Sequence, residues 1–289
     1  MKVKVYTINS FAKSIEGGNP AGVVLNADAL SEDDMRKIAG IIGFSETAFV
    51  MNSDLADFKV RFFTPNEEVD LCGHATIATF STLLSNGYIK PGKYSQETKA
   101  GVLKVEVMED FTVMMNQNTP CYDQIIGKQE IAASLNMKVA DMMEDLPIQV
   151  VSTGIRDIII PIKNIEIVNA INPNLEQISE ISRKYNVVGY HMFTLETLNS
   201  SNAYCRNFAP LYGIPEESAT GTSNGALACY LLEYGIIKPE HASHIVIEQG
   251  YSMGKPSEII AELVTQDEEV TEVKVGGKAL NLSEIEVEI

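Results

Sequence analysis

The chain has 289 residues, of which 45% are hydrophobic and 21% charged, and these fractions are typical of a globular protein. Its 39 acidic and 22 basic residues give a formal net charge of −17, and no basic stripe interrupts this acidic composition. A field of that sign repels phosphate backbones, so the composition predicts no nucleic-acid partner.

The first predicted element is a strand at residues 2–7, where apolar and polar side chains alternate. The opening MKVKVYTINSF therefore differs from a signal peptide, which needs a continuous apolar segment. No later apolar run approaches the roughly 18 residues of a membrane span. The four cysteines have no CxxC spacing, which favours free thiols in a reducing compartment. We therefore expect a cytoplasmic protein without a membrane partner.

The rest of the first half is predicted as strands with one short helix. Ser31 followed by Asp34 has capping-box spacing, so a helix is predicted from there through about residue 38, ending at Gly40. Residues 116–122 are polar with one proline and form the candidate interdomain linker. Strands are predicted at 21–25, 46–51, 59–63, 102–108 and 112–115.

The second half repeats this order with longer additions. A helix is predicted at 128–137, and Asn172 with Pro173 resembles an N-cap followed by proline, opening a helix to about Tyr185. The acidic tail predicts a hairpin turned at Gly276 and Gly277, then a final strand. The other predicted strands lie at 149–151, 157–162, 188–195, 203–208, 244–249 and 259–264.

An internal repeat relates the two halves. Residues 73–91 align with the segment 148 residues later at eight identities in nineteen positions, and a three-residue insertion lies in the loop before the second copy. A repeat this long predicts two copies of one domain. We assign domains to 1–117 and 118–289, with the final strand a candidate to cross back to the first domain. The identities are Gly73/Gly221, Ala78/Ala226, Leu83/Leu231, Leu84/Leu232, Gly87/Gly235, Ile89/Ile237, Lys90/Lys238 and Pro91/Pro239.

Two helices, predicted at 75–85 and 225–234, carry apolar residues on every face. A helix that is apolar all round must be buried all round, and strands can bury it by wrapping around it. The sequence therefore predicts an α+β fold with two pseudo-symmetric domains, each a curved, barrel-like sheet around a central helix. A two-layer sheet with the helix on one face is the alternative.

Both predicted helices begin after a glycine-containing loop. Free N–H groups at a helix start favour anions, so the starts near Gly73 and Ala75 and near Gly221 and Ser223 are candidate substrate-binding groups. Related by the repeat, the two starts are expected to face each other across a domain cleft and to hold one small carboxylate. Taken singly, either glycine has a simpler explanation, which is close packing of the helix start.

Two acids are placed near the same cleft. Glu46 opens an otherwise apolar strand, and Glu217 lies in the loop before the second helix. Their repeat counterparts are not acids, so the pseudo-symmetry is broken where chemistry would need asymmetry. The simpler explanations are a solvated strand end for Glu46 and one more surface charge for Glu217.

Six motifs, in order along nearly the whole chain, resemble the PhzF-like isomerases of phenazine biosynthesis. The resemblance implies the diaminopimelate-epimerase fold and a homodimer. It also implies an isomerase that acts on a small carboxylate without metal or organic cofactor. The motifs are GNPAGVV, SETAF, RFFTP, DLCGHAT, GIPEESATGTSNGAL and EQGYSMGKPS.

The resemblance also implies residue roles. Glu46 matches the acid/base that takes a proton from carbon and returns it elsewhere on the same face, and His74 matches the active-site histidine. Glu217 stands where the family usually has Asp, Thr222 where it has Ser, and Ser218 where it has Pro. These departures leave the substrate open, including the dihydro-hydroxyanthranilate of phenazine biosynthesis. Burial is expected to raise the pKa of Glu46 to about 6–7, a range that suits a general base.

Two other functions are considered. A two-base racemase needs a second thiol, but the repeat counterpart of Cys72 is Thr220, a poor base. A non-catalytic protein of the same fold that binds small carboxylates is the other alternative.

Cys72 and His74 have no further His or Cys ligand nearby in sequence, so no metal site is predicted. The GTSNG loop lacks the GK[ST] ending of a P-loop.

Overall fold

The computed structural model describes residues 1–267 and 269–289, and they divide into two compact units. Unit 1 comprises residues 1–116 and 276–289, and unit 2 comprises residues 117–275. Among the described residues, every helix is too short or too polar to traverse a lipid bilayer.

Strands outnumber helices throughout the described chain. The elements up to residue 117 are β1 (Lys2–Ser10), β2 (Asn19–Val24), α1 (Glu32–Ile42), β3 (Thr47–Met51), β4 (Phe58–Phe63), β5 (Glu68–Val69), α2 (Gly73–Ser85), β6 (Gly92–Thr98), β7 (Gly101–Val107) and β8 (Val113–Gln117). The later elements are β9 (Cys121–Ile126), α3 (Lys128–Ser134), β10 (Ile148–Ser152), β11 (Arg156–Pro161), α4 (Ile165–Ala170), α5 (Leu175–Tyr185), β12 (Gly189–Thr194), β13 (Ala203–Ala209), β14 (Ile214–Glu217), α6 (Gly221–Glu233), β15 (Ile245–Gln249), β16 (Ser257–Gln266), β17 (Glu269–Gly277) and β18 (Ala279–Glu288).

The two units pair their strands in the same order. In unit 1, β1 and β2 are antiparallel, β2 and β3 parallel, β3 and β4 antiparallel, β4 and β6 parallel, and β6 and β7 antiparallel. Unit 2 repeats this alternation with β10, β11, β12, β13, β15 and β16. The short strands β5 and β14 each pair with the strand before them and lead into α2 and α6. The repeat in the sequence is therefore also a repeat of topology.

The helices α2 and α6 are the buried centres of their units. Every residue of α2 from His74 to Leu83 is buried, and the helix packs against β1, β2 and β3. In α6 every residue from Ser223 to Leu231 is buried, against β10, β11 and β16. The all-round burial predicted from the apolar pattern is confirmed for both helices.

Threonines within α2 show how polar side chains fit in such a helix. The hydroxyls of Thr76, Thr79 and Thr82 donate to the carbonyl oxygens four residues earlier, at 2.7–2.8 Å. A hydroxyl bonded back to its own helix leaves its methyl group to pack outward. Polar residues therefore do not interrupt the apolar surface of α2.

Several predicted helix boundaries are corrected by the structure. The first helix passes Gly40 and ends at Ile42, because Gly43 adopts the left-handed conformation (φ 71°) and its N–H bonds to the Ala39 carbonyl. The N-cap of α5 is Asn174, whose side chain accepts from the Gln177 N–H, and not Asn172. Both central helices begin earlier than predicted, at the glycines themselves.

The predicted linker at 116–122 is mostly strand. β8 runs to Gln117 and β9 begins at Cys121, leaving only three residues between them. β9 is largely exposed, so its composition is polar like that of a loop. The predicted turn at Gly276 and Gly277 is wrong, because both glycines lie within β17 and only Lys278 separates that strand from β18. Within unit 1, β18 pairs antiparallel with the whole of β1.

Close strand packing in unit 2 depends on Gly189. A Cβ at this position would lie 2.0 Å from the Phe208 carbonyl oxygen, on the neighbouring strand β13. We expect Gly189→Ala to lower the free energy of unfolding by at least about 2 kcal/mol, because backbone must move to relieve the overlap. Urea unfolding followed by circular dichroism measures the change.

Gly40→Ala is the matched control, since a Cβ there meets nothing within 4 Å inside α1. It should raise the free energy of unfolding by about 0.5–1 kcal/mol. Equal stability of the two variants would contradict the packing described for β12 and β13.

Candidate active site

The start of α2 leaves N–H groups that have no partner within the helix. Its N-cap residue, Cys72, is extended (φ −140°, ψ 119°) and makes no side-chain cap. The Ser10 hydroxyl donates to the His74 carbonyl oxygen at 2.6 Å, which ties this turn to β1. A Cβ on Gly73 would lie 3.0 Å from Met115 Cε, so glycine lets the turn pack closely against β8.

Glu46, Cys72 and His74 form a cluster at this helix start. Glu46 Oε2 lies 3.1 Å from His74 Nε2, and Cys72 Sγ lies 3.4 Å from His74 Nδ1. The Ser45 hydroxyl and the Asn19 amide contact the two ring nitrogens at 3.3 and 3.4 Å. The Glu46 side chain is 17% exposed and that of His74 is 6% exposed. The fold therefore brings two predicted catalytic residues into contact in unit 1.

The electrostatics of this cluster favour a charged pair. Burial acts to raise the pKa of Glu46, but the neighbouring His74 ring, with smaller contributions from Ser45 and Cys72, holds it below the usual glutamate value. Burial acts to lower the pKa of His74, but Cys72 and Glu46 raise it well above the usual histidine value. The expected rise in the pKa of Glu46 is therefore wrong, because an imidazolium beside the carboxylate outweighs desolvation.

The Glu46 carboxylate combines partial exposure with a positive neighbour. Its side chain is 17% exposed, and its buried Oε2 atom lies 3.1 Å from His74 Nε2, so Oε2 faces the ring. A general base needs an accessible carboxylate and a positive neighbour to balance its charge.

Cys72 is a protonated thiol in this environment. Burial and then the charge of Glu46 raise its pKa, while His74 and the Ala75 backbone N–H act in the opposite direction. A thiol is a weak nucleophile and a weak base compared with a thiolate. The fold places Cys72 in the cluster, but its environment does not favour a role as base.

The cluster also contains three of the donor types found in zinc sites. One ligand atom from each of Glu46, Cys72 and His74 lies within 4.8 Å of the others. The sequence argument against a metal missed Glu46, because it is distant along the chain. The prediction of no metal therefore rests on the resemblance alone.

The start of α6 in unit 2 has a similar construction. Its N-cap, Thr220, is extended (φ −128°, ψ 101°) and makes no side-chain cap. The Thr153 hydroxyl donates to the Thr222 carbonyl oxygen at 3.1 Å, as Ser10 does to the equivalent carbonyl in unit 1. Thr222 is half-buried, and Gly221 begins the helix. Both helix starts are therefore held by a hydroxyl from a neighbouring segment, and neither N-cap side chain makes a cap.

Glu217 ends the short strand β14 rather than lying in a loop. Its carboxylate accepts from the Thr220 hydroxyl at 3.2 Å, and its carbonyl oxygen accepts from the Gln249 side chain at 2.8 Å. The preceding residue, Glu216, is held by a bidentate ion pair with Arg206, at 2.8 and 2.9 Å. Bidentate pairs fix geometry, so this pair sets the position from which Glu217 extends.

The same bidentate pair occurs in unit 1. Arg61 contacts Glu68 at 2.7 and 2.8 Å, on β4 and β5, just before α2. Each arginine also lies over a phenylalanine ring two residues later in its own strand, Phe63 in unit 1 and the corresponding ring in unit 2. The approach to each helix start is therefore built from the same three side chains.

Sequence analysis missed a buried polar network around α6. The Ser223 hydroxyl donates to Asp157 Oδ2 at 2.5 Å, and the Asn207 amide lies 3.4 Å from the same hydroxyl. The Asn207 amide also donates to His191 Nδ1 at 3.1 Å, and His191 Nε2 donates to Asn224 Oδ1 at 3.2 Å. All five side chains are buried. The signal in the sequence was the presence of Asp157 and His191 inside otherwise apolar strands.

Burial sets the charge of this network. It raises the pKa of Asp157 to about 7, with the Ser223 hydrogen bond opposing the rise and the charge of Glu217 adding to it. It lowers the pKa of His191 to about 4, so this ring is neutral at physiological pH. The neutral state agrees with one ring nitrogen accepting and the other donating.

The predicted site residues therefore fall into two sets. Glu46, Gly73, His74 and Ala75 meet in unit 1, and Glu217, Gly221, Thr222 and Ser223 meet in unit 2. The Ser223 side chain is committed to Asp157, so what it can offer a ligand is its backbone N–H. The arrangement of both sets around one ligand stays a prediction.

Comparisons with known proteins agree with this architecture. The family described as phenazine biosynthesis-like protein, PhzC-PhzF, matches residues 8–284. A protein named as an uncharacterized isomerase of Clostridium acetobutylicum is 35% identical over 96% of both chains. The crystal structure of a phenazine biosynthesis protein of the PhzF family from Bacillus anthracis has a TM-score of 0.93 and 32% identity, with complete coverage of both chains.

A third similar protein is named for the compound that it isomerises. The trans-2,3-dihydro-3-hydroxyanthranilate isomerase of Pseudomonas chlororaphis is 27% identical over 94% of this chain and 95% of its own. With these matches, the fold class predicted from the repeat and from the resemblance is confirmed.

The state of Cys72 can be tested by alkylation. Iodoacetamide at pH 7.5 should label exposed Cys121 rapidly and Cys72 slowly, because burial and the Glu46 charge keep Cys72 as a thiol. Glu46→Gln removes that charge and should speed the labelling of Cys72 several-fold, at an unchanged Cys121 rate. Peptide mass spectrometry of timed samples gives both rates in one molecule. Faster labelling of Cys72 than of Cys121 in the wild type would show a thiolate.

Proposed function

The chain belongs to the PhzC-PhzF family of phenazine biosynthesis-like proteins and is an isomerase, and we propose that it moves a proton between two carbons of a small carboxylate. Glu46 is the single acid/base, and neither a metal nor an organic cofactor takes part. The observation that carries the proposal is the half-buried Glu46 carboxylate, which is 17% exposed and lies 3.1 Å from His74 Nε2.

The reaction needs one group that both removes and returns a proton. A carbon–hydrogen bond of the substrate breaks, its proton passes to the Glu46 carboxylate, and its electron pair moves into the conjugated system of the substrate. The Glu46 carboxyl, whose proton can exchange with solvent, then returns a proton to another carbon on the same face. The neutral carboxyl returns to a carboxylate, so atoms and charge balance. His74, as imidazolium, compensates the negative charge present before and during transfer.

The helix starts supply the binding groups in this proposal. The N–H groups near Gly73 and Ala75 and near Gly221 and Ser223 bind the carboxylate of the substrate, which helix dipoles favour. Thr222 and Glu217 contact the polar substituents of the substrate. Support comes from the start of α6, where the N-cap side chain, Thr220, makes no cap.

The proposed substrate class is a partly unsaturated ring that bears a carboxylate, of which trans-2,3-dihydro-3-hydroxyanthranilate is the first to test. The relative from Pseudomonas chlororaphis is named for that compound. Glu217, Ser218 and Thr222 differ from the residues usual in the PhzF-like family. Because Glu is one methylene longer than Asp and Thr adds a methyl to Ser, the pocket near them suits a smaller substituent.

A two-base racemase is less well supported. Its second base would correspond to Thr220, whose hydroxyl instead donates to Glu217. Cys72 would be the other base, but its pKa is raised.

A homodimer in the cytoplasm completes the proposal, on the strength of the family resemblance. Light scattering of the purified protein should give twice the mass of one chain over a range of concentrations. A mass of one chain at all concentrations would contradict the dimer without affecting the proposed chemistry.

Replacing Glu46 tests the chemistry directly. Glu46→Gln should fold and bind, but its turnover of trans-2,3-dihydro-3-hydroxyanthranilate should fall by at least about 10²-fold, since the amide cannot accept the proton. Transfer of deuterium from D₂O into recovered substrate and product, followed by NMR, should fall by the same factor. Glu67→Gln is the matched control, because Glu67 is an exposed acid of unit 1.

Wild-type exchange rates in Glu46→Gln would remove Glu46 from the mechanism. No turnover and no exchange in the wild-type protein, with thermal stabilisation by the same compound, would favour the non-catalytic binding protein.

A further inference from the structure

Asp157 is a buried acid that the proposed mechanism does not use. It lies on β11 with no exposed surface, and Oδ2 accepts the Ser223 hydroxyl at 2.5 Å. Oδ1 has no well-directed hydrogen bond from the described residues, and the nearby Gly189 N–H is the weakest of the influences on the pKa of Asp157. A carboxyl group in such a place is costly when ionised, since little compensates its charge.

The contact between Asp157 and Ser223 lies at the start of α6. Ser223 is the third residue of that helix, within the first turn, where N–H groups lack helical partners, and the N-cap side chain, Thr220, makes no cap. Through Ser223, a negative charge on Asp157 would lie beside the helix start that would receive an anion. A carboxylate there would repel the anion, whereas a neutral carboxyl would not.

The internal repeat shows that the same strand and helix can pack without this pair. Gly18, just before β2, aligns with Gly154, just before β11, and in this register Asp157 corresponds to Ala21. In the register that aligns Gly73 with Gly221, Ser223 corresponds to Ala75. Both alanines are fully buried, so in unit 1 the same strand and helix pack with two methyl groups. The acid and its donor occur together in one copy only, which is expected of a functional pair.

We propose that Asp157 is a positioning residue for ligand binding at α6: while protonated it holds Ser223 and leaves the helix start free for a substrate carboxylate, and its ionisation weakens that binding. This inference rests on the proposed function, because it assigns the α6 start to a carboxylate. It adds a pH-dependent step at a residue that does not touch the reacting carbons.

The groups that face Asp157 are few. From β14, Glu217 contributes a negative charge that disfavours ionisation, and from α6 the Ser223 hydroxyl favours it. From β12, His191 is neutral. On its own strand, Arg156 is paired with Asp123 at 2.7 Å. Burial with these neighbours raises the pKa of Asp157 to about 7, so the protonated form is lost as pH rises through neutrality.

Binding of anthranilate, a stable aromatic ring carboxylate, tests the inference. Calorimetry with the wild-type protein should show affinity falling at least about tenfold between pH 6 and pH 8.5, as a negative charge appears at the helix start. Asp157→Asn, which keeps an acceptor for Ser223 without a charge, should keep the pH 6 affinity at both values. Aniline, which lacks the carboxylate, should show no such change in either protein.

Two further variants should move the pH midpoint of the loss of anthranilate affinity in opposite directions. Ser223→Ala removes the hydrogen bond that favours ionisation, so the loss of affinity should shift to higher pH. Glu217→Gln removes the charge that disfavours ionisation, so the loss should shift to lower pH. A merely structural role for Asp157 would not produce opposite shifts. These variants also serve if Asp157→Asn fails to fold.

The same fall with pH in wild type and Asp157→Asn would overturn the inference, and so would unchanged midpoints in the other two variants. Absence of anthranilate binding at pH 6 would overturn it as well. None of these results bears on deuterium exchange by Glu46, which tests the proposed function separately.

Discussion

A buried carboxylate stays ionised only if a positive charge or several donors face it, and the contact of Glu46 with His74 meets this condition. Much of unit 1 serves that contact. Ser10 fixes the turn that carries His74, and Asn19 and Ser45 contact the ring. The central helix α2 fixes the position of this turn, because the helix is buried from its second residue, His74. The chemistry therefore depends on a helix start that cannot shift without disturbing the core.

The two copies of the unit share a framework and differ in chemistry. Each has an arginine–glutamate pair before the helix, an uncapped helix start and a hydroxyl that holds the first turn. At the helix start, unit 1 has Cys72 and His74 where unit 2 has Thr220 and Thr222. The proposed single acid/base needs different groups at the two helix starts, and the copies do differ at these positions.

Features that depend on residue spacing and composition could be predicted from the sequence, whereas features that depend on the three-dimensional surroundings of a side chain could not. The repeat and the two buried helices could be found, because spacing and composition carry those signals, and the pair Glu46 and His74 came from the resemblance to the PhzF-like isomerases. The sign of the Glu46 pKa shift could not, since it depends on a ring 3.1 Å away. The hydrogen bond between Asp157 and Ser223 could not, since the two residues are distant along the chain. Gly40 failed as a helix stop because the next glycine, Gly43, had the conformation that ends a helix.

The route of the chain through unit 1 has a consequence for its synthesis. Unit 2 is continuous from residue 117 to 275, whereas unit 1 needs residues 276–289, whose strand β18 pairs along all of β1. On the ribosome, unit 2 can therefore fold before unit 1, which contains the first residues. Until translation reaches β18, the edge of β1 stays open to chaperones or to other nascent chains.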